Sequence, residues 1–272
     1  MKRKSIIFCV LVVLVCVLCF SACTKNNEKI SLTYENPEKY STEKNEYFDY
    51  VSDVEIVWVS GSVKIVTGDV DGVTIQESFE KEKLPDDYKV RSYLDGANLY
   101  IAFAKPGKLN ITNFKKNLTV TFPAEMALKK VTVRSVSADV ELDNTLTVDS
   151  LHAETVSGKV KAEFSSPVPV NFDVKTVSGD VVATFTKTAA PIIDIETISG
   201  KSSIVAMDLR DLEIKTVSGE LILTIPEEVE YTATLKSIAG KIESEYNELT
   251  RGKGTVRITA ESVSGNVTIK KA

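Results

Sequence analysis

From Val54 onward, apolar and polar positions alternate in short runs, and no helical period lasts more than a few residues. Val63 and Ile65, Val73 and Ile75, Leu99 to Phe103, and Leu118 to Phe122 each predict a strand, with turns at Gly68-Asp69 and Asp95-Gly96. Beyond residue 131 the alternation itself becomes periodic. Leu151 and Ala153, Phe172 and Val174, Ile193 and Ile195, Leu212 and Ile214, and Ile258 and Ala260 all precede a four-residue motif. Val160, Ala162 and Phe164, then Val181, Ala183 and Phe185, then Leu221, Leu223 and Ile225 follow it. A period of two buries one face of each arm. The motif is Thr-Val-Ser-Gly, at Thr155 to Gly158, Thr176 to Gly179, Thr197 to Gly200 (with Ile198) and Thr216 to Gly219. Looser copies stand at Ser135 to Ala138, Ser237 to Gly240 and Ser262 to Gly265, with an early relative at Trp58 to Gly61. From Ala138 to Gly265 the steps are 20, 21, 21, 19, 21 and 25 residues. The phase of alternation slips at each Ser-Gly, as it does at a corner. The Gly is expected to relieve the φ restriction there, the Ser and Thr hydroxyls to hydrogen-bond at the corner, and Val177 and Ile198 to enter the core.

One shared corner and one variable corner predict an all-β fold, a single-stranded parallel β-solenoid (β-helix) with coils of about 20 residues over 131–272. Successive coils would stack at roughly 4.8 Å. Residues 47–130 predict a less regular N-terminal β region, either irregular coils or a cap over the open edge. Charge placement agrees with stacking. After the Gly come Lys159, Asp180, Lys201, Glu220 and Lys241; just before the motif come Glu154, Lys175, Glu196 and Lys215. Both columns alternate in sign, and in-register coils would set opposite charges side by side, each pair contributing roughly 0.2–1 kcal/mol. Lys236 interrupts the second column.

The N-terminus adds a location. Lys2, Arg3 and Lys4, the apolar run Ile6 to Phe20, and Ser21-Ala22 make residues 1–22 a secretory signal, too short in its apolar run for a bilayer span. Phe20-Ser21-Ala22-Cys23 resembles the lipobox of bacterial lipoproteins, with Phe where Leu is usual, which implies lipid attachment at Cys23. Cys9, Cys16 and Cys19 leave with the signal, so no disulfide framework or thiolate metal site is expected. Residues 23–46 are polar and charged and predict a lipidated tether, with Tyr34, Tyr40 and Tyr47 as places where it could dock. Loss of the signal takes the formal net charge from −5 to −8. That balance argues against nucleic-acid binding, which needs a basic footprint.

The Val-Ser-Gly-x-Val copies behind a signal peptide resemble a widespread bacterial family of unknown function, β-strand-repeat envelope proteins that carry an adhesin label. The resemblance covers about residues 50 to 272. It implies an envelope location, in some members near envelope-stress systems, and brings no catalytic residues with it.

Candidate chemistry is sparse. His152 is the lone histidine, beside Leu151 on a strand, and reads as a surface or edge residue. Acids at repeat positions mostly alternate with bases, unlike the clustered acids of polysaccharide-cutting β-helices. Asp69 and Asp71 begin like a calcium loop but lack its distal Glu, so a turn is expected. No metal and no cofactor is expected. Lys105, Lys108, Lys115 and Lys116, with Phe114, form a basic segment suited to an anionic surface, as does Tyr246 to Gly254 with Arg251 and Lys253. The expected function is non-enzymatic: an adhesin-like binding or scaffold module on the extracytoplasmic face, lipid-anchored in the cell membrane. Its partners would be the membrane and either cell-wall polymer or another envelope protein. Alternatives are an accessory to an envelope-stress sensor and a carbohydrate-active β-helix enzyme.

Overall fold

The computed structural model describes residues 30–80, 84–109, 114–165, 169–186, 191–246 and 248–272. The signal 1–22 and Cys23 lie outside the described residues. The fold is all-β, with two large mixed sheets and one small two-stranded sheet. Along the repeat the chain alternates between the large sheets, one strand before each motif and one after it.

The first sheet runs, in spatial order, Tyr231–Ser237, Val256–Ser262, Asp211–Thr216, Ile192–Thr197, Asn171–Thr176, Thr147–Thr155, Ala127–Ser135, Asp53–Trp58, Asn98–Ala102 and Arg91–Asp95. The second runs Glu46–Tyr47, Val73–Phe79, Lys116–Pro123, Gly61–Gly68, Asp139–Leu142, Val160–Phe164, Val181–Phe185, Ser202–Ala206, Leu221–Ile225, Val267–Lys271 and Ile242–Ser244. Neighbours from Ala127 onward pair in parallel and in register, so that Leu151 faces Phe172 and then Ile193, and Val160 faces Val181. The predicted alternation holds. Leu151, Ala153, Phe172, Val174, Ile193 and Ile195 are buried from one side, and Val160, Ala162, Phe164, Val181, Ala183 and Phe185 from the other. Phe185 stacks on Phe164 at 5.7 Å and meets Phe172 edge-on at 5.4 Å, so the two sheets share one core. Each of the Leu, Val, Ile and Phe side chains among them contributes about 1.5–3 kcal/mol on burial.

The corner works differently from the expectation. Gly179 and Gly200 are not among the residues at positive φ. A β-carbon on Gly179 would stand 2.0 Å from the carbonyl oxygen of Gly158, and one on Gly200 would stand 1.9 Å from that of Gly179. Glycine is required by close approach between rungs, not by left-handed backbone. Thr176 is buried and its Oγ1 accepts the Gly179 N–H at 2.8 Å, as Thr155 does for Gly158 and Thr197 for Gly200. The Ser178 N–H donates to the Val156 carbonyl at 2.8 Å, and the Ser199 N–H to that of Val177 at 2.9 Å, so the ladder continues through the turn. Val177 and Ile198 do not enter the core; they are half-buried on the outside of the corner, while Thr and Gly face inward.

The stack also departs from chain order at its C-terminal end. Val256–Ser262 lies between Asp211–Thr216 and Tyr231–Ser237, and Val267–Lys271 lies between Leu221–Ile225 and Ile242–Ser244. The last repeat has slipped inside the one before it. It has the better core residues: Ile258, Ala260, Val267 and Ile269 are buried, whereas Ile242 is 44% exposed. The 25-residue step supplies the connection, part of which returns along Tyr231–Ala233, with Ala233 N–H bonded to Leu249 O and Arg251 N–H to Tyr231 O, each at 2.7 Å.

The N-terminal region joins the same two sheets. Asp53–Trp58 pairs in parallel with Ala127–Ser135, and Gly61–Gly68 with Asp139–Leu142, so the early Trp58-Val59-Ser60-Gly61 copy is the next rung. Antiparallel partners then close the edges, Arg91–Asp95 on one sheet and Val73–Phe79 with Glu46–Tyr47 on the other. Asp69 and Asp71 sit in the turn between Gly61–Gly68 and Val73–Phe79. The described part of the expected tether lies on the body: Ile30–Leu32 pairs with Gly107–Leu109, Tyr47 is buried, and Tyr40 meets Tyr93 edge-on at 4.6 Å.

The rung contact makes a sharp expectation. Gly179→Ala should lower stability by about 1–3 kcal/mol, because a methyl must displace backbone. Ser178→Ala, at the exposed neighbouring position, should change it by about 1 kcal/mol or less. Urea unfolding of the two variants checks the contrast, and equal midpoints would refute the close-approach account.

Candidate functional site

Parallel register turns single residues into columns. On the solvent side of the first sheet one column reads, in spatial order, Arg134, Glu154, Lys175, Glu196, Lys215, Glu261 and Lys236. Its signs alternate without a break, because Glu261 has been inserted between Lys215 and Lys236. The interruption at Lys236 in chain order is therefore repaired in space. Arg134 contacts Glu55 and lies 3.3 Å from Glu154, Lys175 lies 3.7 Å from Glu196, and Lys236 lies 2.7 Å from Glu261. The column after the Gly alternates in sign from Asp139 to Glu220, and Asn266 then separates Glu220 from Lys241. Lys159 and Lys201 donate their backbone N–H groups to Asp139 and Asp180 at 2.8 and 2.9 Å, and Lys201 Nζ lies 2.9 Å from Glu220.

A second column on the same face reads Thr132, His152, Asp173, Asp194, Glu213 and Thr259, so three acids occupy successive rungs. His152 stands at their head. Its Nδ1 is 3.0 Å from Asp173 and its Nε2 2.9 Å from Glu154. Those two hydrogen bonds, Asp173's the stronger, raise its pKa to about 9, so the ring is a cation at neutral pH and unsuited to accept a proton. Asp194 is pushed up to about 6, first by burial and then by the charges of Asp173, Glu196 and Glu213. Among the described residues, no group of His, Cys, Asp and Glu is disposed to hold a metal ion.

The basic segment is divided by the fold. Lys105 is exposed and lies 3.2 Å from Asp87, and Lys115 is exposed. Lys108 sits in the strand opposite Ser31. Lys116 must be withdrawn from any surface role. It is 1% exposed, with Nζ 2.7 Å from Glu77 and 2.6 Å from the Tyr88 carbonyl, and it lies over the rings of Trp58 and Phe103 at 4.8 and 4.5 Å. Burial, outweighing the pull of Glu77, lowers its pKa to about 8. Phe114 lies with this group too, stacked on Phe79 at 4.4 Å. Strand alternation in Lys116–Pro123 decides the matter: Lys116 shares the inward side with Leu118, Val120 and Phe122. In Tyr246 to Gly254, Arg251 lies over the Tyr246 ring at 5.2 Å. Both line a cleft of about 330 Å³ with Glu227, Glu245, Glu248 and Lys271, where acids answer the bases.

The signal that sequence reading missed is the outer corner. Val136, Val156, Val177, Ile198 and Val217 are half-buried, and Val263 and Ile238 exposed, on consecutive rungs. Ser137, Ser157, Ser178, Ser199, Ser218 and Ser264 run beside them, exposed. The result is an apolar ridge flanked by hydroxyls. It was open to discovery from the motif, since Val follows an inward Thr and must point away from it.

These features define a class, an all-β repeat protein of two stacked sheets whose corners carry Ser/Thr-x-x-Gly. The chain belongs to the Toastrack DUF4097 family, matched over residues 51–272. Solved structures to which it is similar include the following three. A candidate cell adhesion protein from Clostridium sporogenes is 9% identical, with 84% of this chain and 97% of that one covered and a TM-score of 0.39. A candidate adhesin from Bacteroides fragilis is 13% identical, covering 85% and 98%, with a TM-score of 0.41. A candidate adhesin from Parabacteroides distasonis is 14% identical, covering 82% and 94%, with a TM-score of 0.33. No curated protein matches the chain. No helix among the described residues is long and apolar enough to cross a membrane.

Two sets of variants test the electrostatics. Lys116→Ala strands the Glu77 carboxylate and should cost about 3–5 kcal/mol in unfolding free energy, whereas Lys105→Ala should cost about 1 kcal/mol or less. For Asp194 the folded pKa lies above the ordinary carboxylate value of 3.8, so the charged form is disfavoured in the fold and stability falls as pH rises from there to about 6. Asp194→Asn should therefore raise Tm at pH 7.5 and give no gain near pH 3.5. His152 has the opposite sense: its raised pKa stabilises the fold below about 6.5 and that contribution is lost as pH rises through about 9. His152→Gln should thus lower Tm at pH 6 more than at pH 10, and a pH-independent shift would count against the ion pairs.

Proposed function

We propose that this chain is a non-enzymatic, adhesin-like binding or scaffold module, carried on the extracytoplasmic face of the membrane by a lipid on Cys23. In this reading residues 1–22 are the signal, the stretch after Cys23 is a short tether, and residues 131–272 are a single-stranded parallel β-solenoid continued by the coils of 47–130. The observation that carries the binding role is the ridge from Val136 to Ile238, seven apolar side chains on consecutive rungs with serines beside six of them. A rigid array at a fixed repeat suits a ligand that itself repeats, such as cell-wall polymer. The His152 column supports the same reading from another side, since its one imidazole is held as a cation between two carboxylates. Lys105 and Lys115 are the exposed positions assigned to anionic polymer.

The test uses the full chain, purified in detergent, on immobilised wall polymer. Replacing Val156, Val177 and Val217 together by Thr preserves shape and should lower retention roughly fivefold, the loss of about 1 kcal/mol of contact, with circular dichroism unchanged. Undiminished retention would remove the ridge, and turnover of glycan by the wild-type chain would remove the non-enzymatic assignment. In cells, Cys23→Ala should abolish lipid labelling and either release the protein from the membrane fraction or leave an unprocessed precursor; normal retention with no label lost would overturn the anchor.

A further inference from the structure

We infer that the C-terminal end of the stack is a docking edge for one added rung, supplied by an extended acidic segment of another protein that carries its own Ser/Thr-x-x-Gly corner. This goes beyond the ridge and makes no use of it.

The outermost rung is Tyr231–Ser237 followed by Ile242–Ser244, and each strand is the edge of its sheet. Only the first part is covered, where 249–251 returns along Tyr231–Ala233. Two backbone ladders end here. In one, each rung's carbonyl at the ridge position accepts from the next rung, through Val217 to Ser264 and Val263 to Ala239. Its next acceptor is the Ile238 carbonyl, on a residue 83% exposed. In the other, each rung donates an N–H outward, through Leu221 to Asn266 and Val267 to Lys241. Its next donor is the Ile242 N–H, on a residue 44% exposed. Among the described residues no strand lies beyond either. A bare parallel edge of this kind is a template for strand addition.

Charge selects the occupant. The two flanking columns carry opposite signs on each inner rung: Arg134 with Asp139, Glu154 with Lys159, Lys175 with Asp180, Glu196 with Lys201, and Lys215 with Glu220. Glu261 with Asn266 comes next, and then the last rung breaks the rule with Lys236 and Lys241, both positive and both exposed. Continuing each alternation therefore requires an acid at both positions of the added rung, five residues apart. Two positions further on, Glu243 is exposed and asks for a base. The corner restricts the segment again. From Ala138 outward each rung presents its corner carbonyl where the following β-carbon would stand, 2.2 Å away in the case of Gly265 beneath Gly240, so the added rung calls for Gly opposite Gly240. The fitting pattern is acid, Ser or Thr, two residues, Gly, acid, one residue, base. No copy in this chain has acids at both flanking positions, so a second copy offers no match in this register.

A synthetic peptide copying residues 152–164 with Lys159→Asp has the full pattern, with Glu154, Thr155, Gly158 and Lys161 in place. Fluorescence anisotropy with the full chain in detergent should show it binding on the order of tenfold tighter than the same peptide with Glu154→Lys and Lys159 retained, less so at high salt. Its Gly158→Val form and a scrambled peptide of equal charge should not bind. In the chain, Lys236→Glu with Lys241→Glu should reverse the preference between the two peptides while leaving circular dichroism unchanged. Equal binding of the scrambled peptide, or a preference that survives the charge reversal, would overturn the proposal. So would a dimer seen by sedimentation that the peptide dissociates, which would give the edge to a second copy.

Discussion

From Ala138 outward, each rung of this protein sets a backbone carbonyl where the next rung's β-carbon would be, and the regular stack depends on that contact. A Gly179 side chain would meet the Gly158 oxygen at 2.0 Å, which leaves no room even for a methyl group. Without a side chain the two turns come close enough for the Ser178 N–H to reach the Val156 carbonyl, and the ladder is not interrupted between sheets. The buried Thr176 hydroxyl takes the Gly179 N–H, which would otherwise be an unpaired donor in a dry place. Close approach at one corner thus holds two strands per repeat in parallel register, and the other corner is free to vary in length.

Register has consequences for charge. Once residues share columns, a like pair on adjacent rungs is unfavourable and an opposite pair favourable, by up to about 1 kcal/mol each. The chain satisfies this even where its own order would not. If the repeats stacked as they occur in sequence, Lys215 would face Lys236; with the last repeat inserted, Glu261 separates them and pairs with Lys236 at 2.7 Å. Burial favours the same arrangement, since the inserted repeat brings Ile258, Val267 and Ile269 into the core and leaves the poorer repeat outermost. The three acids below His152 are the exception; burial first, and then the charges of Asp173, Glu196 and Glu213, push the Asp194 pKa up to about 6.

The N-terminal rungs use the same two sheets and a different anchor. Trp58 stands where later rungs have their Thr, and its indole N–H donates to the Lys116 carbonyl at 3.0 Å. The ammonium of that lysine is buried under Trp58 and Phe103 and paired with Glu77. A buried ion pair of this kind specifies geometry more than it adds stability, because both charges must be desolvated to form it. It joins two neighbouring strands of the second sheet, Val73–Phe79 and Lys116–Pro123.

Much of this was legible in the residues alone. The alternation around each motif identified inward positions such as Phe172 and Val181, and the signs of Glu154, Lys175 and Glu196 pointed to in-register stacking, because both are local patterns with a fixed period. The same locality set the limits. Val177 and Ile198 look like core residues by hydrophobicity, yet the inward Thr beside each turns them out. Lys116 looks like its neighbours Lys105 and Lys115, yet strand parity turns it in, and a charge can stay there only because Glu77 arrives from a neighbouring strand and the Tyr88 carbonyl from a short helical turn. The reason for each glycine, the order of the last two repeats and the unpaired outer edge all rest on contacts between segments some 20 or more residues apart. Repeat spacing determined that the strands stack; only the packing of whole rungs decided which rung lies against which, because burial and charge are summed over neighbours in space.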